Sequence, residues 1–175
     1  MIYTLLNPFI TRFKSCNSRW HITVDSTELP RILALSTRWS VSGGRYSVSN
    51  VTCKGGYDKV SLSRFICGLP KDDTRDVDHI NRNRLDNRLC NLRICSHQEN
   101  AYNIGLKSSN TSGYIGVYWN TEKNKWCARI RINGKKKHCG YFSSIIDAAK
   151  AYDKKAKETR GEFAVLNFPP KGGTE

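Results

Sequence analysis

Asn133-Gly134 constrains the fold of this chain more than any other pair of residues. Asn-Gly is the preferred centre of a two-residue type I′ turn, in which both positions need a positive φ that Asn and Gly adopt at low cost. It lies between Trp126-Cys-Ala-Arg-Ile-Arg-Ile and Lys135-Lys-Lys-His-Cys-Gly-Tyr-Phe, and so short a turn fixes the register of the returning strand. Ile132 must oppose Lys135, Arg131 must oppose Lys136, and Arg129 must oppose His138. Side chains alternate across a strand, so Trp126, Ala128, Ile130 and Ile132 form an apolar face and Lys125, Cys127, Arg129 and Arg131 form the other. Lys136 and His138 join the second face from the returning strand.

An apolar sheet face needs a cover, and residues 144–160 supply one. Ser144 with Asp147 is a capping-box start, and Ile145, Ala148, Ala149, Tyr152 and Ala156 recur at helical spacing. Alanines in that stripe permit a close approach of helix to sheet, and Gly161 ends the helix. The opposite face gathers Arg129, Arg131, Lys136 and His138, groups that repel one another unless an anion lies across them.

Basicity extends over the whole chain of 175 residues, with 29 Lys and Arg against 15 Asp and Glu and a net charge of +14. Up to Lys107 there are 16 basic against 9 acidic residues and beyond it 13 against 6, so each part carries +7. A polyanionic partner is expected, most simply nucleic acid, with an anionic membrane surface as the alternative. Seven cysteines are scattered without a Cys-x-x-Cys pair, which favours reduced thiols in a cytosol-like compartment. The apolar opening is interrupted by Pro8, is too short to cross a bilayer and lacks a basic leader. The expectation is a cytoplasmic protein, not secreted, in which residues 1–19 are poorly specified.

From Trp20 the pattern becomes readable. His21-Ile-Thr-Val24 predicts a strand, with Asp25 or Ser26 as cap of a short helix through Leu35 that Pro30 must start or kink. Trp39-Ser-Val-Ser and Arg45-Tyr-Ser-Val-Ser-Asn-Val-Thr alternate about Gly43-Gly44, the signature of a tight hairpin, and Lys59–Cys67 reads as a strand passing into a helix ended by Gly68 and Pro70. This region reads as fold support, with Arg45 or Arg64 as its candidate DNA contacts.

Asp76-Val-Asp-His-Ile80 and Asn91-Leu-Arg-Ile-Cys95 then predict two short strands, and Ser96 with Glu99 a capped helix that brings Asn100 back toward them. A carboxylate beside an imidazole, an arginine-rich loop and an amide on the next helix suit hydrolysis of a phosphodiester. That reaction needs a base to deprotonate water and a cation to stabilise oxyanions. His79 fits the first task and Asp78 with Asn100 the second.

Asp78, His79, Asn91 and Asn100 together resemble the His-Asn-His (HNH) endonucleases, in the phage and intron homing branch whose third signature position is Asn. The resemblance implies that His79 takes a proton from the attacking water, that Asp78 and Asn100 hold one divalent cation, and that Asn91 pins the hairpin loop so that His79 is aimed. Two oxygen ligands, one of them neutral, suit Mg²⁺ better than Zn²⁺, with Mn²⁺ as a substitute. His97 is the alternative to Asn100 as second ligand, while a zinc site from Cys90, Cys95, His79 and His97 would need loose spacing. On an ideal strand Asp78 and His79 point to opposite faces, so the backbone must bulge or end there. Arg82, Arg84 and Arg93 fit phosphate contacts.

Residues 113–169 resemble the Apetala/ethylene-response-factor DNA-binding domain of plant transcription factors. The shared positions include Tyr114, Gly116-Val117, Lys125-Trp126, Ile130-Arg131, Gly140-Tyr141-Phe142, Ala148 through Asp153, Gly161 and Leu166 through Pro169. The resemblance implies a three-stranded antiparallel sheet laid into the major groove of double-stranded DNA, with Lys125, Arg131 and Lys136 on its DNA side. Tyr118, Arg129 and His138 stand where the plant pattern has Arg, Glu and Trp facing DNA, so docking mode carries over and base preference does not.

The expected architecture is α+β: a poorly specified segment over 1–19, a ββα-metal nuclease module preceded by a small antiparallel sheet over 20–107, and a linker at 108–112. A three-stranded antiparallel sheet packed on one helix follows over 113–170, and then a tail over 171–175. The expected activity is a phage or mobile-element homing endonuclease acting on DNA, with no membrane partner, no small-molecule cofactor and an open oligomeric state. The alternatives are a non-catalytic DNA-binding regulator that keeps a vestigial nuclease fold, against which the intact four-residue set argues, and an RNA-binding protein.

Overall fold

Thr11 and Phe13 alternate with Arg12 and Lys14, and that short period-two run is buried on one side: Thr11 and Phe13 are fully enclosed. They lie on β2 (Ile10–Lys14), between β1 (Tyr3–Asn7) and β3 (His21–Asp25), in a three-stranded antiparallel sheet. The opening segment expected to be poorly specified therefore contributes two strands. Its signal is faint because β1 is exposed along its whole length and carries no polar–apolar alternation. The computed structural model describes residues 3–15, 20–35, 39–42, 46–53 and 56–170, and it divides into two compact units, residues 1–97 and 98–175.

In the first unit a 3₁₀ turn (Ser26–Glu28) leads into α1 (Leu29–Leu35), so Pro30 falls in the first helical turn, where its missing N–H costs nothing. Asp25 precedes the turn without capping it by its side chain; the carboxylate goes elsewhere, as the site geometry explains. A second antiparallel sheet follows, β4 (Trp39–Ser42), β5 (Tyr46–Cys53) and β6 (Gly56–Ser61), and α2 (Leu62–Ile66) continues directly from it. The strands on either side of Gly43-Gly44 pair as expected, Trp39 with Ser49 through Ser42 with Tyr46, while the two glycines and Arg45 lie outside the described residues. Phe13, Ile22, Val24, Ile32, Trp39 and Leu62 form the core of this unit. Fully burying side chains of this size contributes about 1.5–3 kcal/mol each. Arg64 donates to the main-chain oxygens of Pro70, Asp73 and Arg75. It thus anchors the 70–75 loop.

Two further strands, β7 (Asp76–His79) and β8 (Leu92–Cys95), pair antiparallel, with Asp78 opposite Arg93 and His79 opposite Leu92. A short helix, α3 (His97–Asn100), follows.

The second unit has its own core. Strands β9 (Val117–Asn120), β10 (Lys125–Ile132) and β11 (Lys135–Phe142) form a sheet in the order β11-β10-β9, and α4 (Ile145–Arg160) packs on it. Ile132 pairs with Lys135, Arg131 with Lys136 and Arg129 with His138, the register the Asn133-Gly134 turn dictates. Past His138 the ladder slips by one residue, since Ala128 pairs with Gly140. This bulge at Cys139 leaves no trace in the alternation. Asp147 N donates to the Ser144 side chain at the start of α4, and Gly161 at its end has φ +54. The buried stripe of α4 is Ala148, Ala149, Tyr152, Asp153 and Ala156. Asp153 within it accepts from the main-chain N–H groups of Asn167 and Phe168 and from the Asn167 amide, and so pins the end of the described chain onto the helix.

The second unit begins at Gln98, well ahead of the 108–112 linker. Gln98 Nε2 donates to Asn133 Oδ1 at 2.7 Å and to the Tyr102 hydroxyl, and the Arg160 guanidinium lies 4.5 Å over the Tyr102 ring. These contacts hold Gln98 of α3 and Tyr102 just after it to the sheet and helix of the second unit. Among the described residues no helix is long and apolar enough to cross a membrane.

Candidate functional site

The loop between β7 and β8 is built from its amides and one carboxylate. Arg82 has φ +63, and its N–H donates to His79 O at 2.8 Å, so the chain turns sharply as soon as β7 ends. His79 is the last residue of the strand, which lets its side chain leave the alternation that would otherwise oppose it to Asp78. Asn91, 5% exposed, accepts from Asn81 N at 2.9 Å and donates to Asp86 O at 2.7 Å, so one amide holds both arms of the loop. Asp86 takes a two-pronged bond from Arg88, at 2.7 Å to each oxygen, and a third from Asn81 Nδ2 at 2.9 Å. Burial pushes the Asp86 carboxyl up, but Arg88 and Asn81 outweigh it and hold the group below its ordinary range.

The far side of this loop rests on the first sheet. Thr23 N donates to Leu85 O and Asn87 N donates to Thr23 O, both at 2.8 Å, an isolated parallel bridge from β3 to the loop. Asp25 Oδ2 accepts from Leu89 N at 2.7 Å, which is where the carboxylate expected as a helix cap is used. The region expected to be fold support therefore positions the loop directly.

His79 is half-buried, and its Nε2 lies 3.2 Å from Asn87 Oδ1. Burial drives its pKa below the ordinary imidazole value. The Asn87 bond opposes that shift, Arg84 reinforces it, and the charges of Asp78 and Asp86 oppose it. Asp78 is 4% exposed. Arg93, directly opposite in the ladder, donates to its Oδ2 through Nε at 2.9 Å and Nη2 at 2.7 Å. Arg93 was expected to meet phosphate; its guanidinium is instead placed on Asp78 and its side chain is 17% exposed. Arg82 and Arg84 are exposed on the loop.

Asn100 is half-buried at the end of α3 and falls in the second unit, whereas Asp78, His79 and Asn91 belong to the first. His97, the other candidate ligand, is exposed, with Nδ1 3.0 Å from Asp76 Oδ2. No group of three or more His, Cys, Asp or Glu side chains that could hold a metal occurs among the described residues. Cys90 and Cys95, candidates for a zinc site, are in no disulfide, and Cys95 Sγ lies against Asp76 O. The carboxylate of Asp78 in the first unit and the amide oxygen of Asn100 in the second are both hard oxygens, a kind of donor that suits Mg²⁺ better than zinc.

In the second unit Lys125, Arg131, Lys136 and His138 are exposed. Arg129 is half-buried, its guanidinium 4.8 Å over the Tyr118 ring, a cation–π contact that leaves a flat positive group on the sheet surface. Tyr118, Cys127 and Tyr141 form a row across the three strands. Cys127 Sγ is 3.3 Å from His138 Nδ1, and the His138 and Tyr141 rings are 4.4 Å apart. A hydrogen bond to Cys127, with burial second, raises the Tyr118 pKa. The basic face is thus underlaid by an aromatic row.

Sequence reasoning gave no place in the site to Asn87, which meets His79, or to Asp86, Thr23 and Asp25, which hold the loop. Each looks like an ordinary loop or strand residue, and only the long-range bridge to β3 distinguishes it.

Residues 69–102 match the family described as HNH endonuclease. The chain is 32% identical over 88 residues to Protein 3.8 of Escherichia phage T7, covering 50% of this chain and 72% of that protein. It is 33% identical over 138 residues to the Uncharacterized HNH endonuclease L560 of Acanthamoeba polyphaga mimivirus, covering 74% of this chain and 66% of that protein.

Proposed function

We propose, from the HNH endonuclease domain at residues 69–102 and the likeness to a viral HNH endonuclease, that this chain is a metal-dependent DNA endonuclease of the homing type. In this reading the domain at residues 69–102 cuts and the basic sheet of β9, β10 and β11 positions the cut. The observation that carries it is the setting of His79. An imidazole with depressed pKa, held at one ring nitrogen and adjoining a carboxylate that is compensated by Arg93, is a base in its neutral form at physiological pH.

His79 accepts a proton from water as the water oxygen attacks phosphorus, and the bond from phosphorus to the departing 3′ oxygen breaks. Asn91, bonded to both arms of the loop, keeps the end of β7 fixed while this occurs. HNH nucleases generally use a divalent metal; Asp78 and Asn100 are the residues that would hold it, with Mg²⁺ the ion their oxygens suit, and once bound it stabilises charge on the phosphate oxygens. Arg82 and Arg84, exposed on the same loop, suit phosphate contacts.

The second unit would dock its sheet in the major groove of double-stranded DNA in the manner of the ethylene-response-factor domains. Tyr118, Lys125, Arg129, Arg131, Lys136 and His138 form the contacting face, a reading supported by their shared side of the sheet and by the exposure of Lys125, Arg131, Lys136 and His138.

Purified protein with Mg²⁺ is expected to convert supercoiled DNA to nicked or linear form. His79→Ala should slow this by roughly 10²- to 10⁴-fold while DNA binding persists. Equal rates for the two proteins would remove His79 from the mechanism, and salt-sensitive binding with no cleavage by either would leave the non-catalytic regulator as the reading. With about six phosphates contacted, affinity should fall roughly a thousandfold between 50 and 200 mM salt.

A further inference from the structure

Asn100 is carried by α3, and at four residues that helix is little more than one turn. So short a helix gains too little from its own hydrogen bonds to keep a shape in water, so its order has to come from what it touches. Gln98, on the same turn, supplies such a contact. Its amide nitrogen has two hydrogens to give, and it donates to Asn133 Oδ1 at 2.7 Å and to the Tyr102 hydroxyl. Asn133, at φ +48, opens the turn between β10 and β11. Tyr102 is held from the other side by Arg160 near the end of α4, whose guanidinium lies 4.5 Å over the ring. That guanidinium donates to the Tyr152 hydroxyl at 3.2 Å and to Arg131 O at 3.1 Å, so a second route runs from α3 through Tyr102 to β10. Tyr102 N donates to Glu99 O at 2.9 Å and Asn103 N to Asn100 O at 3.2 Å, which places Asn100 inside the tied stretch. Residues 98–103 and the groups that hold them all belong to the second unit.

We propose that Gln98 is a positioning residue for Asn100, tying α3 to the turn of the β10–β11 hairpin so that DNA seated on the hairpin orders the helix that carries a metal ligand. The role of Asn100 rests on the nuclease reading and that of the hairpin on the docking reading, whereas the tie is a property of the second unit alone. An exposed hydrogen bond between two neutral amides adds little to the stability of the unit, so losing it should spare the fold and loosen the helix. What the bond supplies is coupling. Whatever stiffens the Asn133-Gly134 turn lowers the entropy that α3 has left to lose when its amide oxygen takes up a metal ion. Cleavage is thereby favoured on DNA that the sheet already holds.

Hydrogen exchange of the full-length protein, without Mg²⁺ and with or without a saturating DNA duplex at low salt, gives the first test. Amides at 99–104 should exchange more slowly once DNA is bound. In Gln98→Ala, which keeps a good helix former at that position, they should exchange faster than in the parent and gain no protection from DNA, while 125–142 stays protected. Asn133→Gly removes the acceptor but suits the positive φ of the turn. It should loosen 99–104 in the same way, and the double variant should exchange no faster than Gln98→Ala, because both substitutions break one bond. The second test is cleavage with Mg²⁺ titrated: Gln98→Ala should need roughly 10- to 100-fold more Mg²⁺ for half-maximal rate, with KM for DNA unchanged. Unaltered exchange at 99–104 in Gln98→Ala would overturn the proposal, as would parent exchange there that bound DNA leaves the same. Faster exchange with an unchanged Mg²⁺ requirement and kcat would also overturn it, since the bond would then be structural only. A parent that binds DNA and never cleaves would count against the nuclease reading, and protection by DNA that vanishes in Gln98→Ala would still uphold the tie.

Discussion

The β10–β11 hairpin and the β7–β8 loop are both short, polar and functional in the reading above, yet they are specified in opposite ways. The hairpin is determined by its own residues: a two-residue turn fixes φ at Asn133 and Gly134, and four pairs, from Ile132 with Lys135 to Arg129 with His138, follow from it before the slip at Cys139. The β7–β8 loop is determined from a distance. Thr23 and Asp25, some sixty residues earlier in the chain, supply two carbonyl or N–H partners and one carboxylate to residues 85–89. The difference is one of contact range. A basic docking face can be built from local alternation, whereas an imidazole aimed by a loop needs a framework that the loop itself does not contain.

Gly116→Ala should produce the largest effect on the locally specified side. Gly116 has φ +74, and an added Cβ would run into the Tyr152 ring and stand 2.7 Å from Arg129 O. Gly116 O also accepts from Arg129 N at 2.8 Å, so the backbone cannot move away freely. Strain at positive φ and overpacking each cost about 1–3 kcal/mol. Hydrogen exchange followed segment by segment should show faster exchange through β9–β11 and α4, with 21–35 and 92–95 unchanged. Uniform acceleration across both units would mean that the two cores, which share no residue, do not unfold separately.

The legibility of the chain follows the same division. Hairpin register, helix stripe, Ser144 cap and Gly161 stop could all be read because each rests on residues within a few positions of one another. Asp78, His79, Asn91 and Asn100 stand out in the sequence through their resemblance to the HNH signature, and in the structure Asp78 and His79 lie on β7 with Asn91 in the turn just before β8. What could not be read was the purpose of neighbouring residues. Asp25 looks like a helix cap and is bonded to Leu89; Arg93 looks like a phosphate ligand and is bonded to Asp78; Arg64 looks like a DNA contact and is bonded to three carbonyls. In each case a charged side chain satisfies main-chain or side-chain partners whose proximity is created only by folding. The bulge at Cys139 and the strands of residues 3–14 escaped for a different reason, since alternation is a weak signal at a slip and in a fully exposed strand.

Asp25→Ala tests the long-range side with a smaller change. It removes one acceptor from Leu89 N and leaves the core of the first unit intact, so the expected loss is about 1 kcal/mol. The informative readout is where that loss falls. Exchange should quicken at 85–91, cleavage should slow a few-fold, and the melting of the second unit should stay the same. If cleavage and exchange at 85–91 match the parent, the loop keeps its shape without this carboxylate, and the contrast drawn above would rest on Thr23 alone.

The smallest expected effect is a difference in how the two regions respond to pH. His79 and Asp86 both have folded pKa values below their ordinary ones. Their contribution to stability is therefore complete above the ordinary values, about 6.5 and 3.9, and is lost as pH falls through the depressed folded values, His79 first. Tyr152, on the buried face of α4, has its pKa raised by burial. Its contribution is complete below the ordinary tyrosine value of about 10 and is lost as pH rises through the elevated folded one. Acid should thus loosen residues 79–91 before the second unit, and alkali should loosen α4 before the loop. Protection factors, corrected for the intrinsic pH dependence of exchange, would reveal that crossing. Parallel loss of protection in both regions at both extremes would show that charge repulsion across the whole basic chain, and not these buried groups, governs the response.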